Sequence, residues 1–271
     1  MNDTVLSILA HPDDAEFLCA GVMIRLVKEH GWQAHIASMT PGDCGSAELP
    51  AEEISRIRRA EGVRAASLLG GSYSCLEERD LLIMYNDRSL EKVTRLLRQV
   101  RPRIVLTHSP ADYMVDHEMT STIVRAAVFG APIPNFLSDR NLGPPLPHMP
   151  HLYYCDPIEG KDLMGQKIPP GFCIDISGVM EMKIAMLACH ASQRDWLLKH
   201  HGMDQYLQAL RDWAEERGKS CGVAAAAGYR QHLGHSYPQD NLLGQILGVL
   251  PLSLGVARLQ VAHKGVGPST F

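Results

Sequence analysis

The sequence lacks the marks of several large classes of protein. It has 26 Lys and Arg residues against 30 Asp and Glu residues, and without a basic stripe to neutralise phosphates it is not expected to bind nucleic acid. Its longest apolar stretch, residues 242–257, is interrupted by Gly, Gln and Pro, so no membrane span is predicted. The seven cysteines include no Cys-x-x-Cys pair. An odd number of unpaired cysteines predicts free thiols in a reducing compartment.

The sequence also lacks the features of a secreted protein and of a nucleotide-binding protein. The first residues contain no basic segment of the kind that opens a signal peptide. The glycine-rich segment at residues 42–45 has neither Gly-x-Gly-x-x-Gly nor Gly-Lys-Ser/Thr, so it does not indicate a nucleotide phosphate loop. We therefore expect a cytoplasmic globular protein, and 271 residues are enough to bury one substantial core.

Predicted strands and helices alternate along the chain, which is typical of an α/β fold. Apolar runs predict strands at residues 4–10, 34–39, 72–76, 103–107, 152–155 and 172–176, and helical periodicity lies at 15–30, 50–69, 90–100, 119–128 and 179–189. This order implies right-handed crossovers between parallel strands. We expect a three-layer α/β sandwich, Rossmann-like, with a mostly parallel sheet and C-terminal additions. No repeat or linker divides it, so residues 1–271 are interpreted as a single domain.

The strongest chemical signal lies at the end of the first predicted strand. The apolar run stops at His11-Pro12-Asp13-Asp14, and a helix follows at once. Open α/β sheets bind ligands at the carboxyl ends of their strands. In a tight turn His11 and Asp14 can aim at one point as metal ligands, while Asp13 stays free to act as a base. A lone Asp would be better explained as a helix cap, but a histidine with two aspartates favours a site.

A similar change of composition occurs where the fourth predicted strand ends. Histidines and carboxylates follow residues 103–107, and the last of them, His117, lies at the start of a predicted helix. If the first and fourth strands are neighbours, His117 can join His11 and Asp14 around one ion. Two histidines and one carboxylate leave a coordination position for water, as in catalytic zinc sites.

The segment from His11 to Glu16, placed after a first strand, resembles the signature of the zinc-dependent PIG-L/LmbE-like N-deacetylases, which act on N-acetylglucosaminyl groups. The string Arg58-Arg59-Ala60-Glu61 resembles the Arg-x-x-Glu motif of that family, and His190-Ala191-Ser192-Gln193 resembles its His-x-Ser-Gln segment. The resemblance is strongest over residues 1–193.

The resemblance implies roles for five residues. His11, Asp14 and His117 would hold one Zn²⁺ ion per chain, Asp13 would take the proton of the attacking water, and Arg58 would hold hydroxyls of the sugar. A planar guanidinium suits paired oxygens better than lysine would. The residues alone support a metal site in an α/β crevice, and the deacetylase chemistry and the sugar come from the resemblance.

The sequence departs from the family at Met114. Many relatives have a histidine there, thought to stabilise the oxyanion or to protonate the leaving amine and held by the aspartate two residues later. That aspartate is Asp116 here, and it is expected to lack this partner. Substitutes could come from four other histidines: His108, His232, His235 and His263. The simplest expectation is that Asp13 both accepts the proton and returns it to the amine.

Weaker signals concern other parts of the chain. Asp43, in the glycine-rich segment, is a candidate substrate contact because the matching loop of the relatives lies near the site. Residues 230–238 are dense in polar groups and are interpreted as a site-facing loop. Three large aromatic residues are expected in the core rather than along the site: Trp196, Tyr206 and Trp213.

The predicted function is therefore hydrolysis of an N-acetyl or other N-acyl group on a glucosaminyl conjugate, a small molecule. A homo-oligomer is compatible with the sequence. Two alternatives stay open: a related zinc amidase that acts on a thiol conjugate or a non-sugar N-acyl substrate, and a non-catalytic metal- or sugar-binding module in which Met114 marks lost activity. The sequence does not choose between a thiol precursor, a lipid-linked sugar, a chitin fragment and a glycosylated natural product.

Overall fold

The computed structural model describes residues 3–194 and 205–251. The strands in these ranges are β1 (Thr4–Leu9), β2 (Gln33–Ser38), β3 (Ser72–Cys75), β4 (Ile104–Thr107), β5 (His151–Cys155), β6 (Phe172–Asp175) and β7 (Ala226–Gln231). The α-helices are α1 (Asp14–Leu18), α2 (Ala20–His30), α3 (Ala51–Leu68), α4 (Asp87–Val100), α5 (Val115–Gly130), α6 (Met180–Leu187), α7 (Tyr206–Cys221) and α8 (Leu242–Leu247).

One sheet of the described residues contains these strands in the order β3-β2-β1-β4-β5-β7-β6. Neighbours from β3 to β5 pair in parallel, whereas β7 is antiparallel to both β5 and β6. β1 lies beside β4, with Val5 opposite Ile104. The predicted α/β fold with a mostly parallel sheet is therefore confirmed. The β1–β4 pairing also places the two chemically distinctive strand ends next to each other.

The two faces of the sheet carry separate apolar cores, because side chains alternate along each strand. Val5 and Leu9 of β1 pack on one face with residues of α1, α2 and α3. Leu6 and Ile8 pack on the other face with residues of α4 and α5. These side chains are at most 1% exposed, and the helices on both faces complete the three layers.

Local signals set several helix boundaries. The α2 helix ends at Gly31, whose φ of 68° is left-handed and suits glycine. The α4 helix begins after Asn86, whose side chain accepts a hydrogen bond from the Ser89 amide. Buried Arg98 near the end of α4 donates to the carbonyl oxygens of Ala131 and Ile133, and so joins α4 to the segment after α5.

The structure differs from the predicted elements at α1 and in the C-terminal part, where α7, β7 and α8 were not predicted. The helix expected from Ala15 onward is interrupted at Cys19, where φ is −135°. Arg230 and Gln231 end strand β7, so the loop predicted over residues 230–238 begins only after Gln231. The first half of β7 is Ala-Ala-Gly, and such residues have low strand propensity. Pairing with β5 and β6 on both sides specifies this strand, not its own sequence.

Two other expectations concern cysteines and membranes. All seven cysteines are free, as expected. In the described part of the chain no helix is long and apolar enough to cross a bilayer. Trp196 and His263 lie outside the described residues.

Candidate active site

His11, Asp14 and His117 come together at the carboxyl ends of β1 and β4. His11 follows β1, Asp14 is the first residue of α1, and His117 lies in the first turn of α5. Ligand atoms of the three side chains lie within 4.8 Å of one another, and all three residues are largely buried. Asp14 Oδ2 is 3.4 Å from His11 Nδ1, and Asp14 Oδ1 is 3.6 Å from His117 Nε2. The adjacency of the two strands produces the expected convergence.

A second carboxylate holds each histidine on the side away from Asp14. His11 Nε2 lies 2.9 Å from Asp80 Oδ1, and His117 Nδ1 lies 2.9 Å from Asp112 Oδ1. If these nitrogens carry the ring protons, His11 Nδ1 and His117 Nε2 keep their lone pairs toward Asp14. Metal-binding histidines usually donate their other N–H to a carboxylate in this way. The arrangement therefore fits a metal ion. Neither Asp80 nor Asp112 was predicted from the sequence.

Asp14 is ionised in this setting. Burial raises the pKa of a carboxyl group, but the neighbouring rings of His117 and His108 outweigh it and hold the pKa of Asp14 well below its ordinary value. Asp14 Oδ2 also accepts a hydrogen bond from the backbone amide of His11 at 2.7 Å. Neither aspartate of the turn caps α1 with its side chain, so the helix-cap explanation does not apply.

His108 packs against two of the proposed metal ligands, His117 and Asp14. Its ring is fully buried and stacks on His117 with centroids 3.8 Å apart, and its Nε2 accepts from the Ala10 amide and lies 3.1 Å from Asp14 Oδ2. Burial, together with the nearby His117, lowers the pKa of His108 to about 4. His108 is therefore a neutral ring packed behind Asp14, and it does not line the pocket.

Asp13 lies beside the three converging side chains and has partners on both carboxylate oxygens. Oδ1 is 3.3 Å from Arg58 Nη2, and Oδ2 accepts a hydrogen bond from the Tyr206 hydroxyl at 2.6 Å. Its φ of 129° is a strained value for a residue other than glycine. Burial raises the pKa of Asp13, while the charge of Arg58 opposes that shift. Such strain is typical of functional turns.

Arg58 is buried, and its guanidinium contacts the backbone as well as Asp13. It donates to Gly42 O at 3.3 Å and to Pro12 O at 3.1 Å. A Cβ atom at Gly42 or at Gly45 would collide with Arg58 Nη1. The glycine-rich segment is therefore more than a flexible connection, since its missing side chains make room for Arg58. The glycine spacing was visible in the sequence, but its partner was not.

These groups line a pocket of about 510 Å³, a size usual for small-molecule sites. His11, Asp13, Asp14, Arg58, Asp80 and His117 line it on the polar side. The apolar side includes Phe17, Leu81, Tyr113, Met114, Ile158 and Tyr206. Tyr206 is buried, as expected, in a core cluster with Leu187 and Leu210. It also lines the pocket, where its hydroxyl contacts Asp13.

The three segments that carry the resemblance, residues 11–16, 58–61 and 190–193, contact one another next to this pocket. Ser192 donates to Glu61 through both its amide and its hydroxyl, at 2.9 and 2.6 Å. His190 Nε2 lies 3.4 Å from Glu16 Oε2. These contacts hold the segment of Gln193, which lines the pocket, against α1 and α3.

Asp116, which was expected to lack the histidine partner of the relatives, contacts other groups in the structure. Its Oδ2 accepts from the Leu81 amide at 2.7 Å and lies 3.4 Å from His11 Nε2. The carboxylate therefore turns toward His11 instead of facing the side chain of Met114. Asp43 was expected to contact the substrate, but its Oδ1 accepts from the Asp80 amide and the residue does not line the pocket.

The remaining candidate histidines lie away from the pocket where they are described. His232 Nδ1 is 2.9 Å from the Tyr154 hydroxyl, and its ring packs on Tyr237. His235 is exposed and does not line the pocket.

Trp213, one of the aromatic residues considered in the sequence, does not line the pocket either, and its ring packs against the Arg217 guanidinium at 5.0 Å.

Comparison with known proteins shows similarity to several enzymes. Residues 6–128 match the model of the PIG-L family, described as GlcNAc-PI de-N-acetylase. The chain is 27% identical to a diacetylchitobiose deacetylase of Thermococcus kodakarensis over 70% of this chain and 69% of that protein. It is 23% identical to a 4-oxalmesaconate hydratase of Pseudomonas putida over 87% of this chain and 90% of that protein.

A solved structure shares the fold. The N,N'-diacetylchitobiose deacetylase from Pyrococcus horikoshii superposes with a TM-score of 0.71 at 26% identity, covering 89% of this chain and 88% of that one. These relatives are enzymes, which agrees with the prediction from the sequence that this protein is an enzyme. The resemblance seen at residues 11–16 is confirmed by the match of residues 6–128 to the PIG-L family model.

Proposed function

We propose that this protein is a zinc-dependent N-deacetylase that removes the acetyl group from a glucosaminyl conjugate. The observation that carries the proposal is the convergence of His11, Asp14 and His117 beside Asp13 on the wall of one pocket. The PIG-L match over residues 6–128 and the similarity to a diacetylchitobiose deacetylase support the reaction class.

The donor set fits a single divalent cation. Two imidazole nitrogens and one carboxylate are the ligands of many catalytic zinc sites, and the set leaves a position for water. Asp80 and Asp112 supply the outer carboxylates that such histidines usually have. A cation held there would acidify water and polarise the carbonyl of an amide.

The chain's own residues then divide the work. Asp13 would accept a proton from the water while the oxygen of that water attacks the amide carbonyl carbon. When the carbon–nitrogen bond breaks, Asp13 would return that proton to the leaving amine, which gives acetate and a free amino sugar. Arg58 already holds one oxygen of Asp13, and its remaining N–H groups would orient sugar hydroxyls. The apolar wall of the pocket, which includes Phe17 and Tyr113, would cover a face of the sugar ring.

Hydration of an anionic substrate is the second candidate, because one relative is a 4-oxalmesaconate hydratase. Apart from histidines, Arg58 is the one cationic side chain among the described residues of the pocket wall, and it is paired with Asp13. Asp14 and Asp80 add further carboxylates to that wall. The charges of a bound Zn²⁺ and of Arg58 would be balanced by those of Asp13, Asp14 and Asp80, which leaves no excess positive charge to attract substrate carboxylates. A neutral N-acetyl sugar therefore fits better.

The free cysteines support a cytoplasmic location. We also propose that residues 1–271 form one catalytic domain, because strand β7, from the C-terminal part, lies between β5 and β6 and pairs with both.

The test is a screen for release of free amine and acetate with Zn²⁺ added. The panel contains N-acetylglucosaminides linked to thiols, lipids, sugars and glycopeptides, simple N-acyl amides, and an unsaturated carboxylate for hydration. Release of acetate from the sugars supports the proposal. Hydrolysis of only non-sugar amides would favour the related amidase, hydration alone would favour the hydratase, and zinc binding without turnover would favour a binding module.

A further inference from the structure

Tyr206, the first residue of α7, contacts the carboxylate that the proposed reaction uses as its base. Its hydroxyl donates to Asp13 Oδ2 at 2.6 Å, which is short for a hydrogen bond between oxygens. The residue is 5% exposed and lines the pocket, and its ring and that of Phe17 pack edge to face with centroids 5.3 Å apart. Packing on Phe17 therefore fixes where this hydroxyl lies.

Asp13 is held from two opposite sides. Arg58, from α3, contacts Oδ1 at 3.3 Å, while Tyr206, from α7, donates to Oδ2. The strained backbone of Asp13, with φ of 129°, does not by itself fix the carboxylate. Asp13 is next to Asp14 in the chain, so a loose carboxylate would be free to turn toward the proposed metal position and compete as a ligand.

We propose that Tyr206 is a positioning residue for Asp13: its hydroxyl, together with Arg58, keeps the carboxylate beside the attacking water and out of the metal position. The inference rests on the proposed function, because it needs Asp13 to act as the base. It assigns to α7 a part in a reaction whose other residues come from the first half of the chain.

The variant that tests this role is Tyr206→Phe, which removes one hydroxyl and keeps the ring that packs on Phe17. Loss of a hydrogen bond to a charged group should lower kcat about tenfold to a hundredfold. KM should change by less than about twofold, because on this account the hydroxyl acts on Asp13 and not on the substrate. Zinc content should stay at the wild-type level, since His11, Asp14 and His117 are unaltered.

Tyr237→Phe is the matched control. Tyr237 is also buried, at 6% exposed, and its hydroxyl donates to the carbonyl oxygen of Arg125 at 2.8 Å, but it does not line the pocket. This variant loses a comparable hydrogen bond and should keep the wild-type kcat. Rates are measured at a temperature where circular dichroism shows both variants folded, so a difference in stability cannot imitate the result.

A double-mutant cycle separates positioning from direct contact with the substrate. If Tyr206 acts through Asp13, adding Tyr206→Phe to Asp13→Asn should change the residual rate by less than about twofold. Equal losses in the two backgrounds would show that the hydroxyl stabilises the substrate directly, and would overturn the inference.

The remaining outcomes also decide. A Tyr206→Phe enzyme with the wild-type kcat, in a protein that hydrolyses N-acetyl sugars, would overturn the role of Tyr206 and leave the proposed function standing. A wild-type protein that binds zinc but releases no amine from any member of the panel would overturn the proposed function and this inference together.

Discussion

Asp112 provides a sharp test of the metal site, because it contacts a proposed ligand without being one. It is 1% exposed, its Oδ1 lies 2.9 Å from His117 Nδ1, and the same oxygen accepts from the Met114 amide at 3.2 Å. Asp112→Asn keeps a carbonyl oxygen for both donors, since the Met114 N–H requires an acceptor there. What disappears is the negative charge that makes the His117 ring a stronger electron donor.

The expected loss follows from this geometry. Changing an outer carboxylate typically costs 10- to 100-fold in metal affinity, or about 1.4 to 2.8 kcal/mol. Asp112→Asn should lie near the lower end, because the acceptor survives. Asp112→Ala should lie near the upper end, because the N–H groups of His117 and Met114 then lose their acceptor as well. Both affinities are measured by competition for Zn²⁺ with a chromogenic chelator, on protein shown to be folded.

The control is Asp139→Asn, at a side chain that is 74% exposed and pairs with its neighbour Arg140. Zinc affinity should not change in this variant. Wild-type affinity in both Asp112 variants would refute the argument from ring orientation. Complete loss of zinc in Asp112→Asn would make Asp112 a ligand, since it could also form a group with His108 and His117.

Three further predictions concern residues around the site and in the core. Asp80→Asn should weaken Zn²⁺ binding about tenfold in the chelator assay, because Asp80 orients the ring of His11 as Asp112 orients that of His117. Gly42→Ala should lower the free energy of unfolding by about 2 kcal/mol in urea titrations, because φ is 71° and the new Cβ would displace Arg58. Burial lowers the pKa of Lys183 from 10.5 to about 8. The unfolded chain then binds more protons than the native protein between these pH values, so this lysine makes stability rise with pH by up to about 3 kcal/mol. Lys183→Met should remove that rise, seen as the difference between variant and wild-type urea curves at about pH 7.5 and pH 10.

Each of these has a clear contrary result. Unchanged zinc affinity in Asp80→Asn would mean that His11 is oriented by other contacts. A Gly42→Ala protein as stable as the wild type would show that the loop moves freely away from Arg58. Parallel wild-type and Lys183→Met stability curves would show that Lys183 titrates as an exposed lysine does.

The parts of the site that were predictable lie at the ends of apolar strands. His11 and Asp14 follow β1 directly, and His117 follows β4 by a short loop, so their meeting required only that β1 and β4 pair. The alternation of strands and helices made that pairing a reasonable expectation. The same pattern predicted helices on both faces of the sheet, because the apolar residues of β1 point to both faces and must be covered on both sides.

The supporting residues were not predictable, because no local pattern carries them. Asp80 is 69 positions from His11 and lies in an irregular segment between β3 and α4. Tyr206 is 193 positions from Asp13. A buried aromatic residue and one that places a hydroxyl on a carboxylate look the same in sequence. Strand β7 was missed for a different reason, since its alanines and glycine take their conformation from β5 and β6.

Met114 marks a departure from the family whose effect on Asp116 was only partly predictable from sequence. With no histidine at this position, Asp116 was expected to lack that partner; its carboxylate accepts from the Leu81 amide and lies 3.4 Å from His11. Asp116 therefore contacts His11, a proposed metal ligand, although position 114 carries no histidine. Met114 itself adds an apolar surface to the pocket. His108 is sealed behind Asp14 and cannot reach a leaving amine. In the proposed reaction, proton return thus falls to Asp13, the carboxylate that the protein holds by both oxygens.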